Sequence, residues 1–194
     1  LVLIVVGNLW FAASASFAVD EICAKCGPDV SVSGNFAHYK TDNSTVIEGA
    51  GDDAAAFREE IYGENFTVTI AHLPAGKYTV SIGETEVYAT GPGQRIFSVT
   101  CGDVSLAKNF DIFATAGGAR KVCYITGTVE HEDDSIKGPM KVSFSASKNN
   151  AKFNTFEVKN ASGASIAEFS ASELADPYSA VAARIPEISE PPIC

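Results

Sequence analysis

The feature that most constrains this chain is a strict alternation of apolar and polar residues in short runs. Phe66 to Ala71 reads FTVTIA, with Phe66, Val68 and Ile70 on one side of an extended chain and threonines on the other. A turn at Pro74-Ala75-Gly76 follows, and Tyr78, Val80 and Ile82 then repeat the pattern. Arg95 to Cys101 aligns Phe97, Val99 and Cys101, and Lys121 to Val129 aligns Cys123, Ile125 and Val129. Met140 to Ala146 places Val142, Phe144 and Ala146 together, and Phe153 to Val158 reads as the final strand. Cys101-Gly102-Asp103, Gly117-Gly118 and Lys137-Gly138-Pro139 separate these runs.

No window carries a long, capped pattern of helical period. The one helix candidate is Asp52 to Glu60 (DDAAAFREE), with Asp52 or Asp53 as its cap. Short strands at regular spacing predict an all-β fold, a jelly-roll-type antiparallel β-sandwich with at most one or two short helices. The 194 residues suit one such domain, placed at 19–170, with a Pro-containing tail or linker at 171–194 (ARIPEISEPPIC at its end).

Leu1 to Trp10 is almost wholly apolar and dissolves into AASASFAVDE, the pattern of a secretory signal cleaved after Ala15 or Ala18. Residues 1–18 are therefore read as a signal peptide lacking its basic start, and the chain as part of a longer one with further domains. Export predicts oxidised cysteines among Cys23, Cys26, Cys101, Cys123 and Cys194. Cys23 and Cys26 form C-x-x-C, but no second such pair or nearby His completes a zinc set, so structural disulfides are expected. Cys101 and Cys123 both point into the expected core, as a cross-strand bridge or as buried thiols, and Cys101 with Cys123 is the pairing expected. Sequons at Asn43, Asn65 and Asn160 are candidate glycosylation sites and agree with a secreted, cell-surface or endoplasmic-reticulum location. The net charge of −10, with no run of Lys or Arg, excludes a nucleic-acid partner. No membrane contact is expected of the domain itself.

No catalytic constellation emerges. There is no G-x-S-x-G, and His38, His72 and His131 lie far apart in sequence, His72 reading as a surface residue. His131 to Asp134 (HEDD) reads as a charged hairpin loop; a structural calcium there or at Asp52-Asp53 would find oxygen ligands, but neither has the EF-hand spacing. No other cofactor is expected. Glu84 and Glu86 share a strand face but stand without a second catalytic feature. The chain is therefore read as a non-enzyme. What remains is aromatic presentation: Tyr62, Tyr88 and the Asn149-Asn150 pair fall at strand ends or loops, where rings and amides suit the apolar faces and hydroxyls of sugars. Arg95, after the Gly-Pro-Gly break, suits an ion pair or a packed stem.

The segment EVYATGPGQRIFSVTCGDVSLAKNFDIFATAGG resembles the middle of the malectin and malectin-like carbohydrate-binding domains. The matching motifs are Glu86-Val87-Tyr88, Gly93 to Val99, Cys101-Gly102-Asp103, Phe110-Asp111-Ile112 and Ala116-Gly117-Gly118. Asn150 to Val158 (NAKFNTFEV) is similar to the family's closing strand, and the likeness covers about Phe57 to Lys159, with a looser match from Val30 to His38. The resemblance implies a jelly roll that binds gluco-oligosaccharides without catalysis, with Tyr62 and Tyr88 as sugar-contacting tyrosines. The family's following aromatic falls on Ala89, its acidic ligand on Asn149, and its further upstream tyrosine on nothing in Thr45 to Phe57. The expected partner is an oligosaccharide or glycan. The alternative is a structural ectodomain module of a larger surface protein that contacts protein instead.

Overall fold

Each alternating run lies in a strand of the computed structural model, which describes residues 29–174. Ten strands are formed: β1 (Val30–Lys40), β2 (Glu59–Ile70), β3 (Gly76–Thr85), β4 (Ile96–Cys101), β5 (Val104–Phe110), β6 (Val122–His131), β7 (Met140–Lys148), β8 (Ala151–Phe153), β9 (Thr155–Asn160) and β10 (Ser165–Ser170). They make two antiparallel sheets. One runs β1-β2-β7-β4-β5 with β8 attached to β2, and the other runs β10-β9-β3-β6. The apolar faces of both sheets meet. Val68, Val99 and Val142 from one and Val80, Ile82 and Val158 from the other are fully buried. Phe144 touches Phe156 across the gap, ring centroids 6.4 Å apart, and Phe156 stacks on Phe169 at 5.1 Å. Each such phenylalanine contributes about 1.5–3 kcal/mol by burial.

Several expectations need correction. Phe153 to Val158 is not the last strand: Asn154 breaks it into β8 and β9, and β10 follows. The described residues end in a helical turn at Ala171–Leu174, whose Ala171 and Leu174 join the buried cluster. Asp52 to Glu60 becomes a 3-10 helix over Gly51–Arg58 with neither aspartate as its cap, and Glu59 already belongs to β2. Among the described residues, short α-helical turns also occur at Ile112–Ala116 and Asp134–Lys137, more than the two short helices expected. The Cys101–Cys123 bridge is not formed. Cys101 ends β4 in one sheet and Cys123 sits on β6 in the other, opposite Glu84, and both are buried free thiols. Burial pushes them up, Cys101 to about 11 and Cys123 to about 12, with Glu84 adding to the latter. Cys23, Cys26, Cys194 and the signal segment lie outside the described residues.

One irregularity matters for function. From Asn65 onward β2 pairs with β7, but its first half pairs with β8 through Ile61↔Phe153, Tyr62↔Lys152 and Gly63↔Ala151. The larger sheet thus forks at Gly63 to Asn65. Ile61 and Phe66, five apart, are both buried, so the inward-facing set changes from odd to even residues across the fork. β1 follows by shifting register between Asn35 and Ala37. A Cβ on Gly63 would overlap the Asn35 carbonyl oxygen, so only glycine permits this approach of β1.

Candidate functional site

A cleft of about 520 Å³ opens at the fork, lined by Tyr39, Glu60, Tyr62, Val87, Tyr88, Arg95, Asn149 and Asn150. Backbone pairing positions the first three: Tyr39 on β1 stands opposite Glu60 on β2, and Tyr62 stands opposite Lys152 on β8. Tyr88 and Arg95 come from the loop joining β3 to β4, and Asn149 and Asn150 form the turn between β7 and β8. Asn149 takes a left-handed φ of 61°, a conformation asparagine tolerates well. Tyr88 is the most open of the rings at 74% exposure, and Tyr39 is 47% exposed.

Beneath these side chains lies an ionic floor. The Glu86 carboxylate is fully buried; its Oε1 accepts the backbone N–H groups of Tyr88 at 2.8 Å and Ala89 at 2.9 Å. Its Oε2 accepts Arg95 Nε at 2.7 Å, and Arg95 Nη1 donates to the Asn150 carbonyl at 2.8 Å. Burial pushes the Glu86 carboxyl up, but the Arg95 hydrogen bond and charge, with the two loop amides, outweigh it and hold it below its ordinary value. Lys152 Nζ lies 2.6 Å from Glu60 Oε2 and also donates to the Thr85 carbonyl. Glu84, fully buried on β3, accepts no hydrogen bond from the described residues. Burial drives its carboxyl well above the usual range, opposed by Lys152 and Arg95 and aided by Glu60 and Glu86. With three acids and two bases in the floor, two ion pairs close and Glu84 is the group left over.

The four residues singled out from sequence, Tyr62, Tyr88, Asn149 and Asn150, line this one cleft. Tyr62 is not at a strand end or loop, however, but within β2. Ala89 is not part of the cleft lining; it is buried within the loop with its N–H on Glu86. Sequence reasoning missed Tyr39, Glu60 and Val87; Arg95 makes the ion pair expected of it, with Glu86, and lines the cleft as well. Tyr39 is one residue beyond the Val30 to His38 stretch that looked familiar, and it lies on β1, outside Thr45 to Phe57. Glu84 and Glu86 are committed to the interior and do not face each other across a cleft.

The other candidates fall elsewhere. His72 and His131 converge on Asp134, which accepts the His72 backbone N–H at 2.7 Å and lies 2.8 Å from His131 Nε2. His72 is therefore tied to the HEDD segment, which runs from the end of β6 into the helical turn Asp134–Lys137, capped by Asp133. Among the described residues no three His, Cys, Asp or Glu side chains gather as a metal site. Asn43 is exposed at a turn, Asn65 is exposed on β2 beside Ser145, and the Asn160 side chain accepts three bonds from Ser162 and Ala164.

The family model described as Malectin domain matches residues 22–164. The chain belongs to the malectin-domain family. Search of the curated proteins returns no match. Among solved structures, this malectin domain is similar to the ANXUR2 extracellular domain from Arabidopsis thaliana, with 13% identity and a TM-score of 0.56, covering 67% of this chain and 40% of that one. It is also similar to a chain of the plant peptide RALF23 complex with FER and LLG2, at 13% identity and TM-score 0.55, covering 68% of this chain and 46% of that one. A third is Bacteroides uniformis beta-glucuronidase 2, at 11% identity and TM-score 0.52, where the match covers 63% of this chain and 13% of that one. At these identities the likeness is one of fold, and the malectin domain spans 40% of the length of the ANXUR2 ectodomain.

Proposed function

We propose that the cleft binds a neutral gluco-oligosaccharide and that the module is non-catalytic. The observation that carries this reading is the convergence of Tyr39, Tyr62 and Tyr88 with the amides of Asn149 and Asn150 on one cleft. Tyrosine rings cover the apolar C–H faces of a sugar while their hydroxyls and the amides serve its hydroxyl groups. Charge matching supports a neutral ligand: Glu60 is paired with Lys152 and Arg95 with Glu86, which leaves no uncompensated ion among those pairs to recruit an acidic or basic one. Membership of the malectin-domain family supports the same reading, and the signal-like start and the sequons support a secretory route to the cell surface, the exterior or the endoplasmic reticulum lumen. Calorimetric titration of the folded protein with gluco-oligosaccharides tests it. Wild type gives a saturable signal and Tyr88→Ala loses at least tenfold in affinity; folded wild type that binds none of these sugars overturns the reading.

A second reading, docking of a protein or peptide on the same loops, draws support from the likeness to a chain solved with the peptide RALF23, FER and LLG2. The exposure of Tyr88 suits that role too, because protruding aromatics anchor protein interfaces.

A further inference from the structure

We infer that Arg95 is a positioning residue, a strut that fixes the Tyr88 loop against the Asn149-Asn150 turn so that the two walls of the cleft act as one site. The two loops are far apart in sequence and belong to different strand connections, β3 to β4 and β7 to β8. A continuous chain of bonds nevertheless joins their main chains. The Tyr88 and Ala89 amides donate to Glu86 Oε1, Glu86 Oε2 accepts Arg95 Nε, and Arg95 Nη1 donates to the Asn150 carbonyl. Glu86 is wholly buried and Arg95 4% exposed, so water competes little for these bonds and the charge-assisted ones hold strongly. The planar guanidinium spans both partners from opposite edges, which a single ammonium cannot do. One further link, from exposed Lys148 Nζ to the Gly93 carbonyl at 2.5 Å, runs between the same two loops but lies at the surface, where solvent weakens it. Tyr88 itself makes no side-chain bond among those described, so its ring is aimed by the main chain that the strut holds.

The affinity consequence rests on the sugar reading above; the strut itself does not. Amide hydrogen exchange and calorimetric titration with gluco-oligosaccharides are therefore measured together on wild type, Arg95→Lys and Glu86→Gln. Lysine keeps the charge but serves one partner of the two. Glutamine keeps the shape but turns an amide NH2 toward either Arg95 or the loop N–H groups, donor against donor. Both variants are expected to speed exchange of the Tyr88 and Ala89 amides at least tenfold and to weaken sugar binding at least tenfold. The amides of Val80 and Val142, in the core strands, keep their wild-type protection, which a merely structural loss would not allow. Unchanged exchange at Tyr88 and Ala89 in the folded variants, or a parallel rise at Val80 and Val142, overturns the strut. If the exchange pattern is as expected but wild type binds no sugar, the strut stands and the sugar reading falls.

Discussion

Lys152 Nζ and Glu60 Oε2 stand 2.6 Å apart with both side chains shut away from solvent, one on β8 and the other at the start of β2. Taking either charge alone out of this pair leaves the other buried without its partner. Lys152→Met is therefore expected to cost about 3–5 kcal/mol in urea unfolding, since the Thr85 carbonyl also loses its donor. Adding Glu60→Gln to that variant recovers part of the loss, because the stranded charge is gone.

Glu84 carries the opposite sign of pH dependence from its neighbour Glu86. Its folded-state carboxyl titrates well above the unfolded value of 4.5, so folding takes up a proton there. The stability this contributes is complete below pH 4.5 and is lost as pH rises through the folded value. Glu84→Gln takes up no proton and needs none. Its unfolding free energy relative to wild type is expected to climb between pH 5 and pH 8, at up to about 1.4 kcal/mol per pH unit, the linkage of one proton. Parallel profiles for the two proteins would refute a protonated Glu84. Glu86, held below its ordinary value, contributes stability that disappears as pH falls, equally in both proteins.

The thiols of Cys101 and Cys123 are pushed up to about 11 and about 12 by burial, so at pH 8 almost none is thiolate. Iodoacetamide at pH 8 should leave both unmodified in the native protein and label both in guanidinium chloride, as read by peptide mass mapping. Labelling of either in the native state would show an open interior at β4 or β6.

Gly63→Ala sets a methyl group against the Asn35 carbonyl oxygen, a main-chain atom that cannot swing aside. β1 must retreat, at a cost of about 1–3 kcal/mol. Because β1 carries Tyr39 into the cleft, the same variant should lose sugar affinity beyond what its stability change explains, a pairing checked by calorimetry on the folded fraction.

How far the sequence reached depends on where its period held. In β4, β6 and β7, and in β3 as far as Ile82, the alternation holds, and strand positions and core faces were legible there, Val80 and Phe144 among them. At β2 the parity changes across Gly63 to Asn65, and a period-two reading cannot signal such a change, so Tyr62 looked like a strand end. β1 is polar and largely exposed (VSVSGNFAHYK), offering little periodicity, and Tyr39 was lost with it. The floor was illegible for a different reason. Glu60, Glu84, Glu86, Arg95 and Lys152 are charges that composition assigns to solvent, and only the folded chain pairs them. Cys101 and Cys123 do point inward as expected, but from opposite sheets, which strand faces alone do not distinguish.

The fork in the larger sheet has a consequence for tolerance to substitution. Tyr39, Tyr62, Val87, Tyr88 and Asn149 line the cleft yet none belongs to the main buried cluster that joins the two sheets. Substitutions at these positions leave the buried core between the sheets untouched, whereas removing one charge of the Lys152–Glu60 pair strands its partner in the interior. Variation at the rim therefore carries a lower cost in stability than variation in the Arg95–Glu86 and Lys152–Glu60 pairs beneath.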